Sequence, residues 1–235
     1  MATFVLVHGA WRAGWCYRRV ADILRSRGHT VYTPTLTGLG PTSHQLSGAI
    51  SLTTHIRDIV GLIEWEELHQ VVLVGHSYGG IPITGTADLI PDKIASLVYL
   101  DAFVPENNQC LLDMVPPEEA LKFCLSAASN GGFGITPLSL DYFNVNAGDR
   151  AWVEKLTTLQ PLGTFTQRLQ LTGAHTRVRK KTYVTATDYE TPFGKFTQKF
   201  AADPAWISRS IDCGHDLMLD RPQETADLIE EASRF

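Results

Sequence analysis

A serine stands at the centre of a G-x-S-x-G pentapeptide at residues 75–79, the first feature of the sequence that could do chemistry. The pattern is typical of a sharp turn from a strand into a helix, which exposes the serine hydroxyl at the start of the helix. An apolar run at residues 71–74 precedes the pentapeptide and a helical stretch at residues 81–90 follows it, as that turn requires. Ser77 is therefore the candidate nucleophile. A serine hydroxyl is weak at neutral pH, so it needs a base within hydrogen-bond reach.

A histidine and several carboxylates follow predicted strands farther along the chain. His215 lies between the last predicted strand and the last predicted helix, at the same edge of the sheet as Ser77, and we interpret it as the general base. Asp188 comes just after the preceding strand and is preferred as the acid that orients the imidazole. The alternatives are Asp101, which ends another strand and is interpreted instead as a backbone-binding residue, and Glu190. The order Ser77, Asp188, His215 predicts acyl transfer through an acyl-enzyme intermediate.

The tetrahedral intermediate of acyl transfer also needs hydrogen-bond donors for its oxyanion, and each is commonly worth about 3 kcal/mol. The backbone N–H of Tyr78, which directly follows the nucleophile, is one expected donor. The chain turns sharply after the first predicted strand, and the N–H of Ala10 in this loop is the expected second donor. His8, in the same loop, is interpreted as a structural hydrogen-bonding residue rather than as a base.

Aromatic side chains beside these motifs and in the middle of the chain predict an apolar substrate pocket. The residues expected to line it are Trp11, His76, Phe103, Phe123, Tyr142 and Trp152. Such a lining suits aryl or alkyl esters better than charged ones. The alternative for the aromatic residues is that they form the core of the segment that carries them, and His76 could instead pack beneath the serine turn.

Short apolar runs alternate with amphipathic stretches, which is typical of the βαβ units that would position these residues. The sequence predicts an α/β fold with a mostly parallel sheet flanked by helices. Strands are expected at residues 4–7, 30–34, 71–74, 95–103, 181–187 and 206–211, and helices at residues 15–27, 53–68, 81–90, 193–200 and 223–233. From residue 104 to residue 179, prolines and glycines interrupt the alternation, which indicates a cap inserted between the core segments 1–103 and 180–235 of one structural domain.

The composition describes a globular chain of 235 residues with 44% hydrophobic residues and a formal net charge of −5. A mildly acidic chain lacks the basic surface of nucleic-acid-binding proteins, so nucleic acid is not an expected partner. The sequence shows no apolar run near the roughly 18 residues of a membrane span and no export signal, so we expect a cytoplasmic protein without a membrane partner. Four scattered cysteines are interpreted as reduced thiols: Cys16, Cys110, Cys124 and Cys213.

The remaining histidines have no i, i+4 pair and no carboxylate spacing of a metal site, so we expect no metal site at these residues. They are interpreted as solvated or locally hydrogen-bonded surface residues: His29, His44, His55, His69 and His175. The expected partner is a small-molecule substrate, and a homodimer is left open.

Five groups of residues, at positions 5–11, 14–15, 75–80, 100–105 and 214–215, together resemble the α/β-hydrolase fold. The nearest branch resembles plant methylesterases and hydroxynitrile lyases, together with bacterial esterases such as the pyrethroid hydrolases. The resemblance implies a six-stranded sheet, a helical cap and chemistry without a cofactor. It implies a serine hydrolase for a small apolar carboxylic ester, with carbamates and amides as further candidates.

Two departures from that branch argue against the lyase reaction. The lyases carry a lysine directly after the catalytic histidine, where its charge stabilises departing cyanide, whereas this sequence has Asp216. They also place a small hydroxyl residue where this sequence has Trp11. The alternatives left open are a lyase on the same scaffold and a ligand-binding or receptor protein with little turnover, because a fold alone does not prove a function.

Overall fold

The computed structural model describes residues 1–189 and 193–234. Its strands are β1 (Thr3–Val7), β2 (Thr30–Tyr32), β3 (Val71–His76), β4 (Ile94–Leu100), β5 (Gly134–Ile135), β6 (Gln160–Pro161), β7 (Lys180–Ala186) and β8 (Ile207–Ile211). Its α-helices are α1 (Arg18–Ser26), α2 (Leu52–Trp65), α3 (Gly80–Leu89), α4 (Pro117–Ser129), α5 (Arg150–Leu156), α6 (Gly163–Thr166), α7 (Gly194–Ala201), α8 (Leu217–Asp220) and α9 (Pro222–Glu231).

Six of the strands form one sheet in the order β2-β1-β3-β4-β7-β8, and every neighbouring pair is parallel. In the middle of the sheet Val5 pairs with Leu73, and Leu73 pairs with Leu97. Every residue of β3 is buried, as expected for a central strand of a parallel sheet that helices cover on both faces. The predicted α/β fold with six parallel strands is confirmed.

Local sequence signals explain where several helices begin and end. A 3-10 turn at Gly14–Tyr17 precedes α1, so the predicted single helix from residue 15 is in fact two elements. The α1 helix ends just before Gly28, whose positive φ of 84° suits a glycine. The α2 helix begins earlier than predicted, at Leu52, where the Ser51 N–H donates to Thr54 Oγ1 over 3.1 Å.

Strand β4 is shorter than predicted. The sequence suggests a strand to residue 103, but β4 ends at Leu100 because Asp101 adopts a left-handed backbone conformation with a φ of 43°. Beyond it, Phe103 N–H donates to Ser77 O over 3.1 Å. The chain after β4 is thus held against the serine turn instead of continuing the sheet.

The segment at residues 104–179, here called the insert, connects the paired strands β4 and β7. It contains the helices α4–α6 and a small antiparallel sheet of β5 and β6. The loop after β1 binds this small sheet, since Trp11 N–H donates to Gln160 Oε1 and Trp11 Nε1–H donates to Ile135 O, both over 3.0 Å. At the other end of the insert, the carboxylate of Asp88 on α3 accepts hydrogen bonds from Thr172, Gly173 and His175.

Within residues 1–189 and 193–234, no helix combines the length and the apolar character that a membrane-spanning helix needs.

Candidate active site

Ser77 lies in a tight turn between β3 and α3. Its φ of 53° is unusual for a residue other than glycine, and such a conformation costs of order 1–3 kcal/mol. The flanking glycines make the turn sterically feasible. A Cβ at Gly75 would lie 2.5 Å from Gly79 O, and a Cβ at Gly79 would lie 2.7 Å from Val7 O. The predicted strand, turn and helix are all present, and the Ser77 side chain faces a cavity.

His215 lies in the loop between β8 and α8 and lines the same cavity as Ser77. Its Nδ1 lies 2.7 Å from Oδ2 of Asp101. The imidazole stacks on the rings of Phe143 and Phe193, with centroid distances of 5.2 and 5.4 Å. The side chains of His215 and Asp101 are 4% and 0% exposed. A buried carboxylate on Nδ1 fixes the proton there and leaves Nε2 as the atom that can accept one.

The structure places Asp101, rather than Asp188, against His215, which corrects the preference for Asp188. Strand β7 ends at Ala186, and the chain then turns toward the loop after β8, where Asp188 N–H donates to Cys213 O over 3.0 Å. Asp188 is exposed and borders a separate surface groove. Asp101 follows β4, the strand beside that of Ser77, and its left-handed backbone directs the carboxylate to His215.

The two oxygens of Asp101 have different partners. Asp101, the alternative acid, was interpreted as a backbone-binding residue; its Oδ1 does accept a long bond from Ala186 N–H at 3.4 Å, but its Oδ2 binds His215. The alternative acid Glu190 lies outside the described residues.

Tyr189 joins the pair of Asp101 and His215. Its hydroxyl donates to Oδ2 of Asp101 and lies 2.8 Å from Nδ1 of His215. The Tyr189 ring also lines the cavity. Sequence reasoning missed this residue, although it directly follows Asp188, because a tyrosine without a motif carries no signal of its own. The carboxylate of Asp101 therefore has hydrogen-bond donors from both an imidazole and a phenol.

The two expected oxyanion donors, Ala10 and Tyr78, both line the cavity beside Ser77. The loop after β1 can approach the nucleophile because residue 9 is a glycine, where a Cβ would lie 2.9 Å from Ser77 Cβ. After Ala10 the chain turns at Trp11, which has a φ of 61°. The geometry brings both residues next to the nucleophile, as an oxyanion hole requires.

The cavity beside Ser77 is narrow, with a volume of about 30 Å³ open to the centres of water-sized spheres. Most of its lining is aromatic or aliphatic, which is typical of small-molecule sites. It is lined by Ala10, Trp11, Ser77, Tyr78, Phe103, Leu111, Val115, Glu119, Phe123, Leu138, Tyr142, Phe143, Phe165, Tyr189, Phe193 and His215. Four of the predicted pocket residues are therefore in the lining: Trp11, Phe103, Phe123 and Tyr142.

The other two predicted pocket residues lie elsewhere. Trp152, on α5, packs its ring on that of Trp15 in the core segment, with a centroid distance of 4.9 Å. His76 is buried beneath the serine turn, where its Nε2–H donates to His215 O over 2.9 Å. Burial, together with the neighbouring His215, lowers the pKa of His76 to about 3, so it remains neutral.

Asp216, directly after His215, is neutralised by a buried ion pair. Arg12 donates to its Oδ2 over 2.8 Å, and the two side chains are 3% and 1% exposed. Burial by itself would raise the pKa of Asp216, but the charge and hydrogen bond of Arg12 outweigh it and lower the pKa to about 2. The position at which the related lyases carry a lysine therefore holds a carboxylate with its own counter-ion.

Two further histidines bind backbone and neighbouring residues. His8 is fully buried, and its Nε2 accepts the Leu36 N–H over 3.1 Å. Burial lowers the pKa of His8 to about 4, as suits the predicted structural role. His55 was expected on the surface, which is wrong: it is buried under Tyr78, whose hydroxyl lies 2.9 Å from Nδ1.

Across the described ranges, which omit residues 190–192 and 235, no cluster of three or more His, Cys, Asp or Glu side chains could hold a metal ion.

Comparison with known proteins identifies the family of this chain. A model of the alpha/beta hydrolase family matches residues 4–228. The chain is 45% identical over 240 aligned positions to a carbendazim hydrolyzing esterase of Nocardioides sp. (strain SG-4G), covering 97% of this chain and 98% of that protein. It is 37% identical over 137 positions to a pyrethroid hydrolase of Sphingobium wenxiniae, covering 58% of this chain and 44% of that protein.

A solved structure supports the fold over the whole length. An extracellular alpha/beta-hydrolase from a Paenibacillus species superimposes with a TM-score of 0.87 at 25% identity and covers 100% of both chains. With relatives named as an esterase and a pyrethroid hydrolase, the chain is a carboxylic ester hydrolase. The family match over nearly all of the chain, its full-length relative and the serine turn agree: the chain belongs to the alpha/beta hydrolase family.

Proposed function

We propose that this enzyme cleaves small, largely apolar carboxylic esters through an acyl-enzyme on Ser77, with His215 as the base and Asp101 as the acid that orients it. The observation that carries this proposal is the 2.7 Å contact between His215 Nδ1 and Asp101 Oδ2, made by a histidine that shares its cavity with Ser77. The three groups have the chemistry of a serine, histidine and aspartate triad.

In the first half of the reaction, Nε2 of His215 removes the proton of Ser77 as Oγ attacks the ester carbonyl. The resulting oxyanion would accept hydrogen bonds from the N–H groups of Ala10 and Tyr78, which border the nucleophile. The C–O bond to the alcohol then breaks, and the alcohol leaves with the proton from His215. Water attacks the acyl-enzyme by the same steps, which releases the acid and restores Ser77.

Asp101 acts through the imidazole in this proposal. Its carboxylate holds Nδ1–H, so that Nε2 faces the nucleophile, and it stabilises the imidazolium that forms during each half-reaction. Tyr189 holds the same carboxylate oxygen from a second side. The phenylalanine rings stacked on His215 keep the imidazole in one orientation.

The cavity and the relatives together favour esters with aryl or alkyl groups, and carbamate esters in particular. The aromatic lining would bind an apolar group of the substrate. The relative that matches 97% of the chain is named for carbendazim, which is a carbamate ester, so a carbamate acyl group on Ser77 is part of the proposal.

The experiment that tests the proposed function is hydrolysis of a panel of 4-nitrophenyl esters, aryl carbamates and anilides, with Ser77→Ala measured in parallel. Intact mass after reaction with an aryl phosphonate reports the nucleophile. We expect turnover by the wild type, loss of at least about a thousandfold in the variant, and one label on Ser77. Activity retained by Ser77→Ala would overturn the nucleophile, and an unlabelled, inactive wild type would favour a binding protein.

A further inference from the structure

Among the described residues that line the largely apolar catalytic cavity, Glu119 is the one with a carboxylate. Glu119, in the first turn of α4, lines the cavity together with Phe123, which is four residues later and therefore on the same side of the helix. Phe123 is buried, whereas Glu119 and its neighbour Tyr142 are partly exposed. Glu119 therefore lies toward the solvent end of the cavity, away from the buried His215.

Glu119 has unused hydrogen-bonding capacity. Within the described chain, the hydrogen bond to its side chain comes from the hydroxyl of Tyr142, 3.1 Å from Oε1. An ionised carboxylate offers about four acceptor positions on two oxygens, so most of them face the cavity or solvent. No Lys or Arg occurs among the described residues that line the cavity. None of the ion pairs in the described part of the chain includes Glu119. Burial raises the pKa of Glu119, as expected for a carboxylate with incomplete solvation.

Resting on the function proposed above, we propose that Glu119 is a specificity residue, which accepts a hydrogen bond from an N–H or ammonium group of a neutral or cationic substrate. Tyr142 positions the carboxylate by donating to Oε1 and leaves Oε2 for the ligand. The same negative charge disfavours substrates that carry a carboxylate. The preferred substrates are thus aryl esters or carbamates with a nitrogen donor at the end remote from the reacting carbonyl.

Local charge and solvation set the direction of this preference. A substrate with only C–H groups at that end would remove water from Glu119 and offer no donor in return, which costs binding free energy. A substrate N–H replaces the lost water and forms a hydrogen bond to a charged acceptor, a strong type of hydrogen bond. The aromatic remainder of the cavity provides affinity without discriminating between the two.

The test uses three acetate esters that differ only at the position para to the ester: 4-methylphenyl, 4-aminophenyl and 4-carboxyphenyl acetate. For each ester, kcat/KM of the wild type is divided by kcat/KM of Glu119→Gln. Because both values refer to the same ester, the intrinsic reactivity of that ester cancels. We expect a loss of about fivefold on the amino ester, a change of less than about twofold on the methyl ester, and a gain on the carboxy ester. The matched control is Glu118→Gln, whose exposed carboxylate lies outside the cavity lining and should leave all three quotients near one.

A binding measurement separates this inference from the proposed function. Benzylammonium is titrated into Ser77→Ala with Glu119 intact and with Glu119→Gln added, and we expect the second protein to bind about tenfold more weakly. Equal quotients on the three esters, or equal affinities for benzylammonium, would overturn the role of Glu119. A wild type that hydrolyses none of the esters would instead overturn the proposed function, while the benzylammonium affinities still decide the role of Glu119.

Discussion

The guanidinium of Arg12 lies 2.8 Å from the carboxylate of Asp216, and both side chains are buried although 204 residues separate them along the chain. The pair joins the loop after β1 to the loop that carries His215. Removal of one partner would leave the other charged and buried, which typically costs 3–5 kcal/mol. The buried pair therefore links the two loops that the mechanism requires to be in place.

Arg12→Met should lower the free energy of unfolding by about 3–5 kcal/mol, because Asp216 keeps its charge without a counter-ion. The double variant Arg12→Met, Asp216→Leu should recover much of that lost stability. The control is Arg209→Ala, which breaks a surface pair with Glu231 and should cost about 0–1 kcal/mol. Urea unfolding of the four proteins checks this, and equal losses for Arg12→Met and Arg209→Ala would contradict it.

The low pKa of Asp216 predicts a loss of stability in acid. Its pKa is about 2 in the folded protein and 3.8 as an ordinary value, so the folded state prefers the ionised form. The stabilisation is fully present above about pH 4 and is lost as the pH falls through the folded pKa; it amounts to about 2 kcal/mol. As the pH falls from 5 to 2, the unfolding free energy of the double variant Arg12→Met, Asp216→Leu should therefore decrease less than that of the wild type. Parallel curves of unfolding free energy against pH for the two proteins would contradict the lowered pKa of Asp216.

Tyr189→Phe should slow the reaction while leaving the fold intact. The substitution keeps the ring in the cavity wall and removes the hydroxyl that donates to Asp101. A less firmly held carboxylate orients His215 less well, so we expect kcat to fall about tenfold with little change in KM. The control is Tyr32→Phe, which removes a surface bond to Glu66. An unchanged kcat, or a change in KM alone, would argue against the positioning role of Tyr189.

Gly9→Ala should reduce activity through crowding beside the nucleophile. The new Cβ would lie 2.8 Å from His76 Nδ1 and 2.9 Å from Ser77 Cβ, so the loop that carries Ala10 must move. Loss of one oxyanion donor costs on the order of a hundredfold in kcat. In contrast, Gly61→Ala on α2 meets no atom closer than 3.9 Å and should stabilise the protein by about 0.5–1 kcal/mol. Full activity of Gly9→Ala would contradict the proposed oxyanion loop.

The sequence predicted the parts of the site that depend on local patterns. Ser77 is embedded in a motif with its own turn geometry, and His215 follows the last strand, so the order of elements alone places both at one edge of the sheet. The six parallel strands also follow from the alternation of apolar and amphipathic stretches. These features need only the residues near each position and the general rules of parallel sheets.

The parts that sequence reasoning missed depend on long-range geometry. The choice between Asp101 and Asp188 is decided by a left-handed residue at the end of β4 and by where the chain turns after β7. The contact of Tyr189 with Asp101 spans 88 residues, and no periodicity indicates it. Similarly, Trp152 has the composition of a pocket residue but faces Trp15, because the packing of α5 decides which side it covers.

The central claim is that Asp101 orients His215, and the most direct measurement compares kcat/KM of Asp101→Asn and Asp188→Asn on 4-nitrophenyl acetate. Both replacements keep the size of the side chain, and thermal unfolding verifies that both variants are folded. The structure predicts a loss on the order of 10⁴-fold for Asp101→Asn and less than about twofold for the exposed Asp188→Asn. A crippled Asp188→Asn beside an active Asp101→Asn would contradict the account.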